Sequence, residues 1–236
     1  MQKNGKLYIL PSALGETDAT LFSEHYKKIV FELTVFIVEN VRTARRFLRS
    51  VGYTKNFDDI IFLEIDKHQK ILDWTAYLKE NFAGKDSGLL SEAGTPGIAD
   101  PGAEIIRRAH RQNVQVVPLI GPSSILLALS ASGLNGQSFC FNGYLPIEKP
   151  DRTKKIKALE ALSFKEYQTQ IFIETPYRNN QLLADLLNAC DPNTEICVAA
   201  NLTIDKEYIK TKPVLEWRKS PPDIHKQPTV FLMLKR

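Results

Sequence analysis

Short apolar runs alternate with amphipathic stretches along the whole chain, and this alternation constrains the fold more than any other feature. Short apolar runs fit strands of a buried sheet, and the amphipathic stretches between them fit helices that cover it. The order predicts an α/β protein. The predicted strands are residues 7–10, 35–38, 60–63, 88–90, 114–117, 139–141, 171–173, 196–198 and 230–234.

Helical periodicity occupies the stretches between these strands. After Pro118 the pattern restarts, so we expect two α/β domains, residues 1–119 and 120–236, with a hinge near residues 118–122. Gly52 stands where a helix would end in a left-handed residue. The predicted helices are residues 19–30, 41–51, 71–81, 124–131, 156–162 and 182–189.

Composition narrows the class of protein. The chain has 236 residues, 43% of them hydrophobic and 25% charged, which is typical of a globular protein. No apolar run approaches the ~18–20 residues of a membrane span. Three cysteines without metal-like spacing, and a first strand that follows the initial residues without a secretory segment, predict a cytoplasmic protein with reduced thiols and no metal. The net charge of +4 permits an anionic partner such as RNA.

Two loops after predicted strands carry the signals of a ligand site, because ligands of α/β sheets bind beyond the carboxyl ends of strands. Residues 91–102 are rich in Gly and Pro, and Asp100 followed by Pro101 predicts the start of a helix. This loop is longer than a plain connection of about 2–6 residues. Residues 121–124 place Ser123 and Ser124 at another helix start, where they could cap the helix or bind a carboxylate. No dinucleotide-binding or P-loop glycine motif is present.

The motifs in these loops resemble the tetrapyrrole (corrin/porphyrin) methylases. Residues 7–11, 92–102 and 116–124 carry the resemblance. The run from residue 128 to Pro146 is most similar to the branch that methylates a cytidine 2′-oxygen in small-subunit ribosomal RNA.

The resemblance implies a methyltransferase of two α/β domains, with S-adenosylmethionine (SAM) in a cleft between them, and a homodimer. It also implies a set of cofactor-binding residues. These are Pro11, Glu92, Ala93, Gly94, Thr95, Pro96, Ile98, Ser123, Ser124, Glu174, Ala200, Leu202, Pro228 and Thr229.

The chain departs from that branch on the side expected to meet the substrate. Residues 13–17 replace a Pro-Ile-Gly-Asn-Leu run, Asn40 and Val41 replace Asp-Thr, and residues 200–204 lack an Arg-Glu pair. Two alternatives therefore stay open beside RNA methylation: SAM-dependent methylation of a tetrapyrrole or other small molecule, and a SAM-binding module without catalysis.

Arginines on one predicted helix favour an RNA partner. Four of them recur at helical spacing opposite an apolar stripe, without acids between them, so a phosphate partner is a plausible reason for the cluster. The alternative is a solvated surface whose charges are balanced by acids from elsewhere. The arginines are Arg42, Arg45, Arg46 and Arg49. A second basic cluster at residues 152–157 gives weaker support.

Transfer of a methyl group to a hydroxyl needs a proton acceptor or a cation near the reacting oxygen. Glu39 and Arg42 follow the second strand and are the catalytic candidates; an ion pair or charges at a helix N-terminus would explain them equally well. Tyr177 and Arg178 could contact the acceptor. The alternative at that point is a helix that starts at Pro176 and is capped by Thr175.

Overall fold

The computed structural model describes residues 5–15, 19–65, 84–99 and 102–236. The chain forms two compact units, Met1–Ser123 (unit 1) and Ser124–Arg236 (unit 2). The helix predicted at residues 71–81 lies outside the described residues, as do Asp100 and Pro101.

Unit 1 contains a five-stranded sheet in the order β3-β2-β4-β1-β5. Every pair of neighbouring strands is parallel, so the carboxyl ends of all five strands lie along one edge. The strands are β1 (Lys6–Leu10), β2 (Val35–Val38), β3 (Ile61–Glu64), β4 (Ser87–Leu90) and β5 (Gln115–Pro118).

Helices cover both sides of this sheet, as a parallel sheet requires. In β2, Phe36 and Val38 pack into one hydrophobic cluster, and Val35 and Ile37 pack into the other. The first cluster includes residues of α1 and α2, and the second includes residues of α3. The helices are α1 (Glu24–Glu32), α2 (Val41–Ser50) and α3 (Ala103–Arg111), with 3-10 turns at Ala19–Leu21 and Phe57–Asp59.

The ends of these helices follow local hydrogen-bonding chemistry. Ser23 accepts a hydrogen bond from the Tyr26 amide, so the helix predicted at 19–30 was wrong in its start: a 3-10 turn precedes a helix that begins at Glu24. Gly52 has φ +95°, and the amides of Gly52 and Tyr53 donate to Arg49 and Leu48. This is a Schellman ending, and it confirms the prediction for Gly52.

Unit 2 contains a mixed five-stranded sheet in the order β6-β7-β10-β8-β9. Strands β6 and β7 are parallel, and the remaining pairs are antiparallel. The strands are β6 (Phe139–Tyr144), β7 (Thr169–Ile173), β8 (Glu195–Ala200), β9 (Tyr208–Pro213) and β10 (Thr229–Leu234). The helices are α4 (Ser124–Ser132), α5 (Lys149–Glu166), α6 (Asn179–Ala189) and α7 (Val214–Trp217), with a 3-10 turn at Pro176–Arg178.

Unit 2 differs from the sequence-based expectations in three respects. The strand β9 was not predicted, and α5 is longer than the predicted residues 156–162. Arg152 is not part of an exposed basic cluster, since its guanidinium is buried and donates to Asp185 at 2.6 Å and to Pro146 O at 3.1 Å. Among the described residues, no helix combines the length and apolar character needed to cross a membrane.

Candidate functional site

At the carboxyl edge of the unit 1 sheet, the segments after β1 and β4 pair with each other. The Ser12 amide donates to Gly94 O at 2.8 Å, and the Gly94 amide donates to Ser12 O at 3.2 Å. This bridge holds Pro11, which precedes Ser12, beside the loop of residues 92–98. The structure thus brings together two segments whose paired residues, Ser12 and Gly94, lie 82 positions apart in the sequence.

Serine and threonine hydroxyls shape the loop itself. Ser91 Oγ donates to Gly94 O at 3.1 Å, and Ser12 Oγ donates to Ser91 O at 3.0 Å. Gly94 has φ +75°, a conformation that favours glycine. Thr95 Oγ1 donates to Pro122 O at 3.2 Å, so this loop and the segment that precedes Ser123 are in direct contact.

Pro11 is held from two sides. A Cβ atom added to Gly121 would lie 2.4 Å from Pro11 Cβ, so the close approach of the two segments requires a residue without a side chain. On the other side, the Tyr26 hydroxyl donates to Pro11 O at 2.7 Å. Burial raises the pKa of the Tyr26 phenol, which keeps it protonated as a donor.

Glu39 and Arg42, the catalytic candidates, follow β2 at the same edge. Glu39 is buried, and its Oε1 accepts a hydrogen bond from the Glu92 amide at 3.2 Å, which ties the end of β2 to the 92–98 loop. Asn40 caps α2, since its Oδ1 accepts from the amides of Arg42 at 2.9 Å and Thr43 at 3.1 Å. The Arg42 side chain is exposed in the first turn of the helix.

A groove of about 560 Å³ opens beside these segments. Its charged lining side chains are Arg46 and Glu92, and hydroxyls and apolar groups make up the rest. Residues 13–15, where the sequence departs from the rRNA-methylating branch, lie along it. The lining residues are Ser12, Ala13, Leu14, Gly15, Thr43, Arg46, Phe47, Ser50, Glu92 and Ala93.

The arginines of α2 divide into two groups. Arg46 lines the groove. The Arg45 guanidinium carbon lies 5.4 Å from the centre of the Phe57 ring and 5.1 Å from that of Phe62, while that of Arg49 lies 4.0 Å from the centre of Phe57. All four arginines are exposed, whereas Ala44 and Leu48 on the opposite side of the helix are buried, as predicted.

In unit 2, the predicted cofactor residues Glu174, Ala200 and Thr229 meet at one edge of the sheet, whereas Ser124 begins α4. Thr229 pairs with Ala200, and the next residue of β10, Val230, pairs with Ile173, the last residue of β7. Glu174 follows Ile173 directly, so the ends of β7 and β8 and the start of β10 lie side by side.

A polar network crosses this edge. The Asn201 amide donates to Pro228 O at 2.9 Å, and Asn201 Nδ2 donates to Gln227 Oε1 at 2.8 Å. Asn179 Nδ2 donates to Gln227 O at 2.6 Å. The segment that contains Leu202 has left-handed backbone at Asn201, Thr203 and Lys206, with φ between +53° and +66°. Such strained backbone is found at functional sites more often than elsewhere.

Glu174 and Arg178 form an ion pair at this edge. Arg178 Nη2 lies 2.7 Å from Glu174 Oε1, and the Thr175 amide donates to the same oxygen at 2.6 Å. Tyr177 is 70% exposed, and its ring contacts His225 edge-on at 6.1 Å. Thr175 is the N-cap residue of a 3-10 turn that starts at Pro176, as predicted, although its side chain makes no capping hydrogen bond.

Several residues at these two edges were missed in the sequence. They act mainly through hydrogen bonds to backbone atoms of distant segments, a role that local patterns do not reveal. One signal was available for Ser12, because it lies two residues after the end of β1, in the region where ligand loops are expected. The missed residues are Ser12, Tyr26, Asn40, Asn179 and Gln227.

Residues at both edges fit a polar ligand such as SAM. Two buried side-chain oxygens in unit 2, Asn179 Oδ1 and Thr203 Oγ1, have no hydrogen-bond partner and could bind hydroxyl or amino groups. In unit 1, Glu92 and Ala93 are exposed beside the groove. Across the described parts of the chain, no group of three or more His, Cys, Asp or Glu side chains is arranged to hold a metal ion.

The chain is similar in sequence to one protein family and in fold to a solved structure. The sequence model of the family described as Tetrapyrrole (Corrin/Porphyrin) Methylases matches residues 20–216. Among solved structures, one described as the crystal structure of the methyltransferase CobJ superposes with a TM-score of 0.62. That likeness covers 98% of this chain and 94% of the other at 18% identity, and it shows a shared fold.

Three similar relatives are each named ribosomal RNA small subunit methyltransferase I. The protein of Buchnera aphidicola subsp. Schizaphis graminum is 31% identical over 99% of this chain and 79% of its own length. That of Vibrio cholerae serotype O1 is 32% identical over 89% of this chain and 69% of its own length. That of Escherichia coli O157:H7 is 30% identical over 97% of this chain and 77% of its own length.

Proposed function

Because the chain belongs to the tetrapyrrole (corrin/porphyrin) methylase family and is a methyltransferase, we propose that it methylates small-subunit ribosomal RNA at a ribose 2′-oxygen, with SAM as the methyl donor. One observation carries the choice of substrate: the chain is 31% identical, over 99% of its length, to a relative named for that RNA. A cytoplasmic location follows from this proposal, since ribosomal RNA is the substrate.

The proposed cofactor contacts come from the two sheet edges. In unit 1 they are Pro11 and the loop of residues 92–98, together with Ser123. The pairing of Ser12 with Gly94 and the contact of Thr95 with Pro122 support the grouping, because they fix these segments against one another. In unit 2 the proposed contacts are Ser124, Glu174, Ala200, Leu202, Pro228 and Thr229. The strand register that joins Ala200 to Thr229, beside the end of β7, supports this second set.

When bound, SAM supplies a methyl group activated by its positive sulfur. In the proposed reaction the acceptor oxygen would take this methyl group and lose its proton, and S-adenosylhomocysteine would be the other product. Correct placement of the acceptor provides much of the acceleration in such a displacement. The protein therefore has to position the RNA and to promote the loss of one proton from the acceptor hydroxyl.

We place Glu39 and Arg42 nearest to that proton. The hydrogen bond from the Glu92 amide supports a role for Glu39 in positioning the 92–98 loop. Its burial beside a groove that contains Arg46 is also compatible with proton transfer. Arg42 is exposed in the first turn of α2, where its charge could stabilise the acceptor oxygen as the proton leaves.

The proposed RNA contacts are basic or aromatic side chains in both units. In unit 1 they are Arg45, Arg46 and Arg49, all exposed on α2. In unit 2 they are Tyr177, whose exposed ring could stack on a base, and Arg178. The ion pair of Arg178 with Glu174 supports a positioning role for this arginine.

A homodimer is also proposed. Strand β6 lies at the end of the unit 2 sheet, where unpaired backbone groups could meet a second copy. Exposed apolar side chains cluster in its sequence neighbourhood, with Phe139 at 41%, Tyr144 at 59% and Ile147 at 65% exposure. Light scattering after size exclusion would show twice the 26.7 kDa chain mass if the proposal holds. A single chain mass at micromolar concentration would contradict it.

The proposed activity is tested with purified protein and tritiated SAM. Deproteinised small-subunit ribosomal RNA should become labelled, and large-subunit RNA should serve as the matched control without label. Label on a tetrapyrrole or another small molecule, with none on RNA, would favour the small-molecule alternative. Binding of SAM by calorimetry with no transfer to any acceptor would favour a SAM-binding module; either result would contradict the proposed function.

A further inference from the structure

Two guanidinium groups of α2 are held by aromatic rings rather than by acids. Arg49 lies over the Phe57 ring at 4.0 Å, and Arg45 lies within 5.4 Å of the centres of both Phe57 and Phe62. Arg49 Nη1 also donates to Tyr53 O at 2.5 Å, which anchors it to the end of its own helix. We call these four residues, Arg45, Arg49, Phe57 and Phe62, the arginine–phenylalanine cluster.

The rings of this cluster are partly buried and pack against the hydrophobic interior of unit 1. Phe57 stacks on Tyr53 with ring centres 6.0 Å apart, and Phe62 stacks on Phe36 at 5.8 Å. Tyr53 and Phe36 are buried, and the Tyr53 hydroxyl donates to Leu33 O at 2.7 Å. The rings are therefore fixed, and the guanidinium groups that lie on them lose much of the rotational freedom of a surface arginine.

The positive charges of the cluster are not neutralised by the described part of the protein. Among the described residues, no carboxylate lies within 4.0 Å of the guanidinium groups of Arg42, Arg45, Arg46 or Arg49. Asp58 and Asp59 follow Phe57 in the chain, yet neither forms such a pair with these arginines. An exposed, oriented pair of guanidinium groups without acids matches the needs of a phosphate ligand.

We infer that the arginine–phenylalanine cluster binds phosphates of the substrate RNA backbone, while Arg46 acts separately in the groove. The inference rests on the proposed function and deepens it, because it assigns the arginines of one helix to two tasks. Arg45 and Arg49 bind the RNA strand at a point remote from the reacting nucleotide. Phe57 and Phe62 are positioning residues that keep the two guanidinium groups in place for this contact.

The salt dependence of RNA binding distinguishes phosphate contacts of Arg45 and Arg49 from a purely structural role of these residues. Each phosphate contact to a single strand steepens the plot of log binding constant against log salt concentration by about 0.7. Binding of a fluorescein-labelled, single-stranded oligoribonucleotide of mixed sequence is measured by anisotropy over a series of KCl concentrations. For the variant Arg45→Gln/Arg49→Gln we expect a slope shallower than wild type by about 1.4, from two lost contacts.

Phe57→Leu provides a second readout, because it removes the ring and keeps both charges. We expect binding about threefold weaker with nearly the wild-type slope, since the arginines remain but are less well oriented. The matched control is Lys28→Gln/Lys85→Gln, which removes two exposed charges elsewhere in unit 1 and should leave slope and affinity unchanged. Circular dichroism and SAM calorimetry confirm that each variant is folded.

The outcomes separate this inference from the proposed function. If wild type methylates small-subunit ribosomal RNA while the double arginine variant keeps the wild-type salt slope, the inference is wrong and the function stands. If the lysine control loses as much slope as the arginine variant, the contact is general charge attraction and the inference is also wrong. Absence of salt-dependent oligonucleotide binding in the wild type would point to an acidic protein as the partner and would overturn it too.

Discussion

The absence of a side chain at Gly121 sets the spacing between two loops of unit 1. An added Cβ atom would lie 2.4 Å from Pro11 Cβ and 2.9 Å from Pro11 Cγ, far inside van der Waals contact. Pro11 cannot retreat freely, because Tyr26 binds its carbonyl oxygen on the other side. The segment around Gly121 would have to move, and with it the Pro122 carbonyl that Thr95 contacts.

For Gly121→Ala we therefore expect a loss of about 1–3 kcal/mol in the free energy of unfolding, the usual cost of overpacking. Urea denaturation measures this change, and calorimetry should show weaker SAM binding. The control is Gly136→Ala, where no heavy atom lies within 4 Å of the added Cβ. Equal stability and equal SAM affinity for the two variants would show that the contact of residue 121 with Pro11 is unimportant.

The role of Glu39 can be determined by measuring SAM affinity and kcat separately. If it positions the 92–98 loop through the Glu92 amide, Glu39→Gln keeps an acceptor oxygen and should change SAM affinity and kcat by less than about threefold. Glu39→Ala leaves the amide without this partner and should weaken SAM binding about tenfold. A fall in kcat of about a hundredfold for Glu39→Gln, with SAM affinity intact, would instead identify Glu39 as the proton acceptor.

At the scale of single residues, residue type and sequence position indicated which loops belong to the candidate site. They did not indicate which hydrogen bonds hold those loops in place. Gly94, Thr95 and Glu39 were singled out because they follow strands at the carboxyl edge of a parallel sheet. Their partners, Ser12, Pro122 and the Glu92 amide, bind through backbone atoms, which carry no sequence signature. The rings that hold Arg45 and Arg49 could not be predicted for a similar reason, since Phe57 and Phe62 come from a separate segment.

At the scale of elements, the start of α2 links stability to the site. Asn40 caps the helix with bonds to the Arg42 and Thr43 amides, so Asn40→Ala should lower the free energy of unfolding by about 1 kcal/mol. Asn40→Asp keeps an acceptor at the same place and should retain the stability. Urea denaturation of both variants is the measurement. The capping account is wrong if Asn40→Ala is as stable as the wild type.

Most strands were predictable because a buried strand in an α/β sheet is a continuous apolar run. Strand β9 has no such run: it lies at the end of its sheet, and Lys210 and Lys212 alternate with Ile209 and Thr211. Edge strands protected by lysine give a weak pattern. Helix α5 was predicted short because its buried residues include Arg152, Glu160 and Ser163, which break the apolar periodicity.

At the scale of the whole molecule, the two units share an α/β composition but differ in their sheets. In the described part of unit 1 the five strands of the sheet are all parallel, so the loops that follow them lie at one edge. Unit 2 is mixed, and its candidate edge combines the ends of β7 and β8 with the start of β10. The order of strands and loops in the sequence predicted that the unit 1 loops lie together. The edge of unit 2 depends on which strands pair, and only the structure shows that pairing.

The central claim is that this methyltransferase modifies small-subunit ribosomal RNA. Its most direct test is nucleoside mass spectrometry of that RNA, purified from cells with and without the gene. The account predicts that 2′-O-methylcytidine at one position of the small-subunit RNA is present in the first sample, missing in the second and restored by the wild-type gene. Identical methylation of the RNA in both samples would contradict it.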